Sequence, residues 1–87
     1  MAQIVKCEGK NDIELVQLAL KNPDYFVCIM KNYEDKLIRF IRRISGANIQ
    51  DAEDVLQEVF IKVYKNLNSY DNNLKFSSWI YRITRNY

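Results

Sequence analysis

Residues 23–46 read PDYFVCIMKNYEDKLIRFIRRISG. The apolar residues Phe26, Ile29, Met30, Tyr33, Leu37, Phe40, Ile41 and Ile44 step by 3, 1, 3, 4, 3, 1 and 3, the period of a helix with one buried stripe. Pro23 suits a first helical position, Asn22 before it suits an N-cap, and Gly46 supplies the stop. A helix is therefore expected from Pro23 to about Ser45. Its stripe needs other helices to cover it, and the flanking sequence supplies them.

Upstream, Asp12–Lys21 carries Leu15, Val16, Ala19 and Leu20 on one helical face and stops at Asn22-Pro23, where proline removes a donor and disfavours helix in the residue before it. Residues 1–11 show no periodicity and read as a loose arm. Downstream, Asn48 can cap a third helix, with Asp51, Glu53 and Asp54 suited to the positive end of its dipole. Val55, Leu56, Val59, Phe60, Val63, Tyr64 and Leu67 form its apolar face. A polar loop over 68–73 leads to a fourth helix opening near Leu74, with Phe76, Trp79, Ile80 and Ile83 inward. The expected fold is all-α, a compact bundle of about four helices in one domain over 12–87. No stop signal follows at Tyr87, so the chain reads as cut at that end.

Composition narrows the function. With 2 Gly and 1 Pro among 87 residues, the many turns of a sandwich or barrel are not written here. Histidine is absent, which removes the commonest general base and the commonest zinc ligand. No nucleophile sits beside a base and no glycine-rich loop could cradle phosphate, so neither a catalytic site nor a cofactor is expected. Cys7 and Cys28 form no CxxC pair; without a secretory leader they read as reduced thiols in a cytoplasmic protein. No apolar run approaches the roughly 20 residues of a spanning helix, so membrane insertion is not expected. Net charge is only +2, but it is unevenly spread. Residues 1–46 carry 8 basic and 6 acidic side chains, 47–70 carry 2 and 4, and 71–87 carry 3 and 1. An acidic segment thus lies between a mildly basic front and a basic, aromatic end.

At about 100° per residue, Asp54, Glu58, Ile61 and Lys65 point away from the core of the third helix, with Gln57 at the flank. A solvated outer face accounts for the charges but not for Ile61, which resembles an apolar anchor in a polar rim. Adjacent carboxylates at Glu53, Asp54 and Glu58 could hold a cation, but the helix dipole explains them better. On the fourth helix Lys75, Ser78, Arg82 and Arg85 share the outer side, flanked by Tyr81 and Asn86. Such a stripe can neutralise phosphates, and Asn or Arg can reach base edges. The loop adds Asn68, Ser69, Asn72 and Asn73 as hydrogen-bonding groups and Tyr70 as a surface on which an unpaired base could stack. Phe76 and Trp79 read as core; Tyr70 and Tyr81 are open between core and surface. Lys36, Arg39, Arg42 and Arg43 on the second helix read as a solvated face, with a phosphate or partner contact as the alternative.

DAEDVLQEVF (51–60), KVYKNL (62–67) and FSSWIYRITRN (76–86) together closely resemble the second conserved region of bacterial RNA polymerase sigma factors, nearest the extracytoplasmic-function (ECF) group of the sigma-70 family. The resemblance runs from about Glu14 to Asn86. It implies a transcription initiation factor domain whose acidic helix docks on the clamp helices of the polymerase core, through Asp54, Gln57 and Glu58; Ile61 joins them from the helical wheel. It also implies that the loop and fourth helix recognise and melt the minus-ten promoter element and capture a flipped non-template base. The residues for this role are Asn68, Ser69, Tyr70, Asn72, Asn73, Lys75, Phe76, Trp79, Arg82, Arg85 and Asn86. Family members carry a further helix-turn-helix domain that this stretch does not include, and many are masked by an anti-sigma factor. The alternative is a helical protein-interaction domain that keeps the docking helix without a DNA function.

Overall fold

A computed structural model describes residues 6–87. Four α-helices run in order: α1 (Asp12–Lys21), α2 (Phe26–Ser45), α3 (Ile49–Lys65) and α4 (Phe76–Arg85), with 3₁₀ turns at Pro23–Tyr25 and Leu67–Ser69. Among the described residues there is no strand, and the all-α bundle expected from the sequence is present. Among the described residues no helix is long and apolar enough to cross a membrane.

The ends of the helices follow from local chemistry. Asn11 and Glu14 form a reciprocal capping box on α1, with the Glu14 N–H donating to Asn11 Oδ1 at 2.9 Å and the Asn11 N–H to Glu14 Oε1 at 3.0 Å. Asn48 caps α3 by accepting from the Asp51 N–H at 2.8 Å. Gly46 closes α2 in the left-handed conformation, φ 71°, and its N–H donates to the Arg42 carbonyl. That conformation is open to glycine at little cost. Two starts differ from expectation. Pro23 begins a 3₁₀ turn rather than α2 itself, because the Asn22 carbonyl accepts from Tyr25 three residues on. The fourth helix opens at Phe76 rather than Leu74, because residues 71–74 close a turn, Leu74 N–H to Asp71 carbonyl at 2.9 Å, and the Tyr70 hydroxyl donates to the Leu74 carbonyl.

α2 is the axis of the bundle, packing against α1, α3 and α4. Phe26, Cys28, Ile29, Tyr33, Leu37, Phe40 and Ile41 are buried along it, and each leucine, isoleucine and phenylalanine among them contributes on the order of 1.5–3 kcal/mol relative to exposure. Leu15, Val16 and Ala19 cover it from α1, Leu56, Val59, Phe60 and Val63 from α3, and Phe76 and Ile80 from α4. Three residues expected on buried faces are exposed: Leu20, Ile44 and Tyr64. Leu20 and Ile44 lie in the last turns of their helices. Tyr64 meets Phe26 edge-on at 5.2 Å with its outer side open to solvent.

The cysteines correct a second expectation. Cys7 and Cys28 are joined as a disulfide, with Cα atoms 5.3 Å apart, inside the range a bridge requires. Spacing could not show this pairing, because the 21-residue separation is closed only when the chain doubles back along α1. Of the expected loose arm, Lys6–Asn11 is therefore tied to the bundle, and Cys7 packs on the core; residues 1–5 lie outside the described part. Closing a loop of this length stabilises by about 3 kcal/mol in the chain-entropy picture. Reducing the bond, or substituting Cys7→Ser, is expected to lower the unfolding free energy by about that amount, read from urea midpoints with and without reductant.

Inside the bundle, the Tyr33 hydroxyl donates to Asp12 Oδ2 at 2.6 Å and joins α2 to the first turn of α1. Burial, then the hydrogen bond and the negative charge of Asp12, raise the Tyr33 phenol well above its ordinary value. Burial also raises Tyr70. A raised pKa in the folded state means that this stabilisation is complete below pH ~10, where the unfolded phenol titrates, and is lost as pH rises beyond it. Stability measured by urea unfolding should therefore fall as pH rises above about 10, and fall less in Tyr33→Phe. At neutral pH that substitution is expected to cost about 1.5–3 kcal/mol, the value of a hydrogen bond to a charged group.

Candidate protein- and nucleic-acid-binding faces

Asp54, Gln57, Glu58 and Ile61 recur at i, i+3, i+4 and i+7 along α3 and are all exposed. Ile61 keeps 48% of its surface open, in agreement with its place on the helical wheel. Beside it the structure adds something that periodicity did not reveal. Phe26 and Met30 of α2 and Phe60, Ile61 and Tyr64 of α3 line an open apolar groove of about 440 Å³, with Gln57 and Lys65 at its edge. Phe26 and Phe60 are core residues whose edges form the floor of this groove, while Met30 is half-buried and Tyr64 exposed at its sides. A second hollow of about 300 Å³ shares Met30, Gln57 and Phe60 and carries Glu34, Asp35 and Glu53. The α3 face is therefore an apolar groove with an acidic rim, and two of the acids come from α2.

The other face lies on α4 and the turn before it. Two residues expected to meet DNA have buried side chains. Tyr70 and Phe76 are 8% and 2% exposed, so neither ring offers a stacking surface. Tyr70 meets Phe76 edge-on at 5.2 Å and leans on Trp79 at 5.2 Å, while Phe76 meets Tyr33 at 5.7 Å. The phenylalanine at the first position of α4 meets α2 at Tyr33, and the tyrosine six residues before it packs on that phenylalanine. Together they anchor the loop.

Trp79 is half-buried and lines a hollow of about 340 Å³ with Ser69, Arg82 and Asn86. The structure brings these four expected residues together and adds Lys62, Asn66 and Ile83. Asn66 caps the end of α3, its amide donating to the Lys62 carbonyl at 2.8 Å; standing before Leu67 on the expected apolar face, it gave no signal in the sequence. Arg85 lies across α4, in a hollow of about 430 Å³ with Ser77, Ser78, Tyr81 and Arg82. Asn68, Asn72, Asn73 and Lys75 are exposed but line neither hollow. Asp71 accepts from the Asn73 N–H at 2.9 Å and shapes that turn. Among the described residues no group of three Cys, Asp or Glu side chains is placed to hold a metal ion.

These features define a small helical domain with one acidic, apolar face and one basic face bearing a half-buried tryptophan. The chain matches the Sigma-70 region 2 family over residues 29–87 and belongs to it. It is 43% identical over 70 residues to the ECF RNA polymerase sigma factor SigW of Bacillus subtilis, covering 80% of this chain and 37% of that protein. It is 38% identical over 58 residues to the ECF RNA polymerase sigma factor SigE of Mycolicibacterium smegmatis, covering 67% of this chain and 22% of the relative. With the ECF RNA polymerase sigma-E factor of Escherichia coli it shares 34% identity over 61 residues, 70% of this chain and 31% of the relative. The chain thus spans between about a fifth and little more than a third of the length of these curated relatives.

Burial separates scaffold from surface in a way that thermal melting can read. Phe76→Ala is expected to cost about 3–5 kcal/mol of stability, as for a large ring removed from a core. Ile61→Asp and Asn86→Ala, at exposed positions, are expected to change it by no more than about 0.5 kcal/mol.

Proposed function

We propose that this chain is the part of an ECF sigma factor that docks on the RNA polymerase core through α3 and captures the melted minus-ten promoter element through α4, working in the cytoplasm as a transcription initiation factor. The observation that carries the reading is the gathering of Ser69, Trp79, Arg82 and Asn86 around one hollow. An extruded base needs a ring to stack on, amide and hydroxyl groups to meet its edge, and a cation for its phosphate. All are present within that one hollow. Tyr70 and Phe76 serve by holding the hollow open rather than by touching DNA. Asn72 and Asn73, on the exposed turn beside it, reach the strand from outside.

Docking draws on the other face. Asp54, Gln57 and Glu58 meet basic groups of the clamp helices while Ile61 and the adjoining groove take an apolar side chain, the arrangement of an anchor with a polar rim. An anti-sigma factor that covers the same groove would compete for it. A protein-interaction domain without a DNA function would leave the tryptophan hollow and the cations of α4 without a role.

The two activities are tested separately. Ile61→Asp is expected to weaken binding to a purified clamp-helix fragment at least tenfold with an unchanged circular dichroism spectrum; unchanged affinity would remove α3 as the docking helix. Trp79→Ala is expected to abolish preference among single-base variants of a non-template minus-ten oligonucleotide, measured by fluorescence anisotropy. Retained preference would move base capture elsewhere.

A further inference from the structure

Lys36, Arg39 and Arg43 follow one another along α2 at i, i+3 and i+7, a ridge about 10 Å long at 1.5 Å per residue. With Phe40 and Tyr81 they line a hollow of about 400 Å³. That hollow shares Tyr81 with the one around Arg82 and Arg85 on α4. Five cations from two helices therefore border one continuous surface, and no carboxylate lines either hollow.

Two of the three ridge cations rest on fixed rings. The Lys36 ammonium lies 5.5 Å from the centre of the Tyr33 ring, and the Arg43 guanidinium 5.8 Å from that of Phe40. Tyr33 and Phe40 are buried, and Phe40 is braced edge-on against Tyr81 at 5.0 Å. Cation–π contacts of this kind restrain long side chains, so part of the ordering cost of binding is met before a ligand arrives.

We propose that this ridge is a second nucleic-acid contact, holding the phosphate backbone of double-stranded DNA beside α4. The inference rests on the nucleic-acid reading of α4 and extends it to a helix that reading does not use. The cations are exposed and the surface is open, which suits an extended polyanion rather than one small anion. An anionic membrane surface would call for apolar side chains that insert, but Phe40 is buried and Tyr81 half-buried. The same lack of a free ring disfavours unpaired bases, which need a stacking platform. Trp79 and the amides of Asn66 and Asn86 lie on the opposite flank of α4. Arg82 lines the hollows on both flanks and marks the line where they meet. The arrangement fits a fork: paired DNA held through phosphates on the α2 side, an unpaired strand on the Trp79 side.

The test measures anisotropy over a salt series with two probes, a minus-ten single strand alone and the same strand joined to an upstream duplex. The wild-type domain is compared with Lys36→Gln/Arg39→Gln/Arg43→Gln, with Arg39→Gln alone, which removes no ring contact, and with Lys6→Gln/Lys21→Gln/Lys31→Gln as an equal change of charge elsewhere. On the fork, the ridge variant is expected to lose at least tenfold in affinity and about 0.9 from the log–log salt slope for each lost contact, and Arg39→Gln about one such step. Its affinity for the single strand should change less than twofold, and the control variant should match wild type on both probes. An equal loss in the control, an equal loss on the single strand, or no loss on the fork each overturns the proposal. Should wild type bind the single strand with base preference while the ridge variant keeps full fork affinity, the ridge fails and α4 stands. Should wild type bind the fork but not the single strand, and the ridge variant lose the fork, base capture fails and the ridge stands.

Discussion

The burial of α2 on three sides is the constraint from which the other features follow. A helix of 20 residues with seven buried side chains keeps its outer face in solvent, and that face is bordered by a different neighbouring helix on each flank. One edge runs beside α3 and carries Glu34 and Asp35; the other runs beside α4 and carries Lys36, Arg39 and Arg43. Glu34 and Asp35 thus line one hollow while Lys36, one residue further on, lines another with Arg39 and Arg43. The near-zero net charge conceals this polarity, because the two edges cancel in the sum.

A run of aromatic contacts connects the axis to the α4 face. Tyr33 on α2, Phe76 and Trp79 on α4 and Tyr70 in the preceding turn touch in sequence. Edge-on and tilted ring pairs add about 0.5–1.5 kcal/mol each beyond their buried area. They also set orientation: Trp79 is held on one side by Tyr70 and Phe76 and keeps its other side toward Arg82 and Asn86. The polar turn between the helices is thereby given a hydrophobic floor, and its rim groups are presented from a defined backbone.

Much of this was legible in the residues. The range of α1, the stop at Gly46 and the cap at Asn48 follow from capping chemistry and periodicity, and the exposure of Ile61 follows from the helical wheel. Where the reading went astray, the missing information was three-dimensional. A period assigns Tyr64 and Ile44 to an inner face but does not say how far the neighbouring helix reaches, so both read as buried. Tyr70 sits in a polar run that gives no reason to bury it until Phe76 and Trp79 are placed above. Proline at a helix start serves a 3₁₀ turn as well as an α-helix, so the beginning of α2 was misplaced by three residues. The Cys7–Cys28 pairing is a consequence of the chain reversal and has no local signature.

The bridge also alters how the domain carries force. Cys7 and Cys28 close a covalent ring that contains all of α1 and the 3₁₀ turn after it. Under tension applied at the two ends, load passes from Cys7 to Cys28 through sulfur and bypasses the peptide bonds between them. The ring withholds about 70 Å of contour, from 21 residues at roughly 3.3–3.6 Å each. Oxidised and reduced chains would therefore differ in fully stretched length by nearly a quarter. While the bond stands, α1 bears no load of its own and separates from α2 only by peeling sideways.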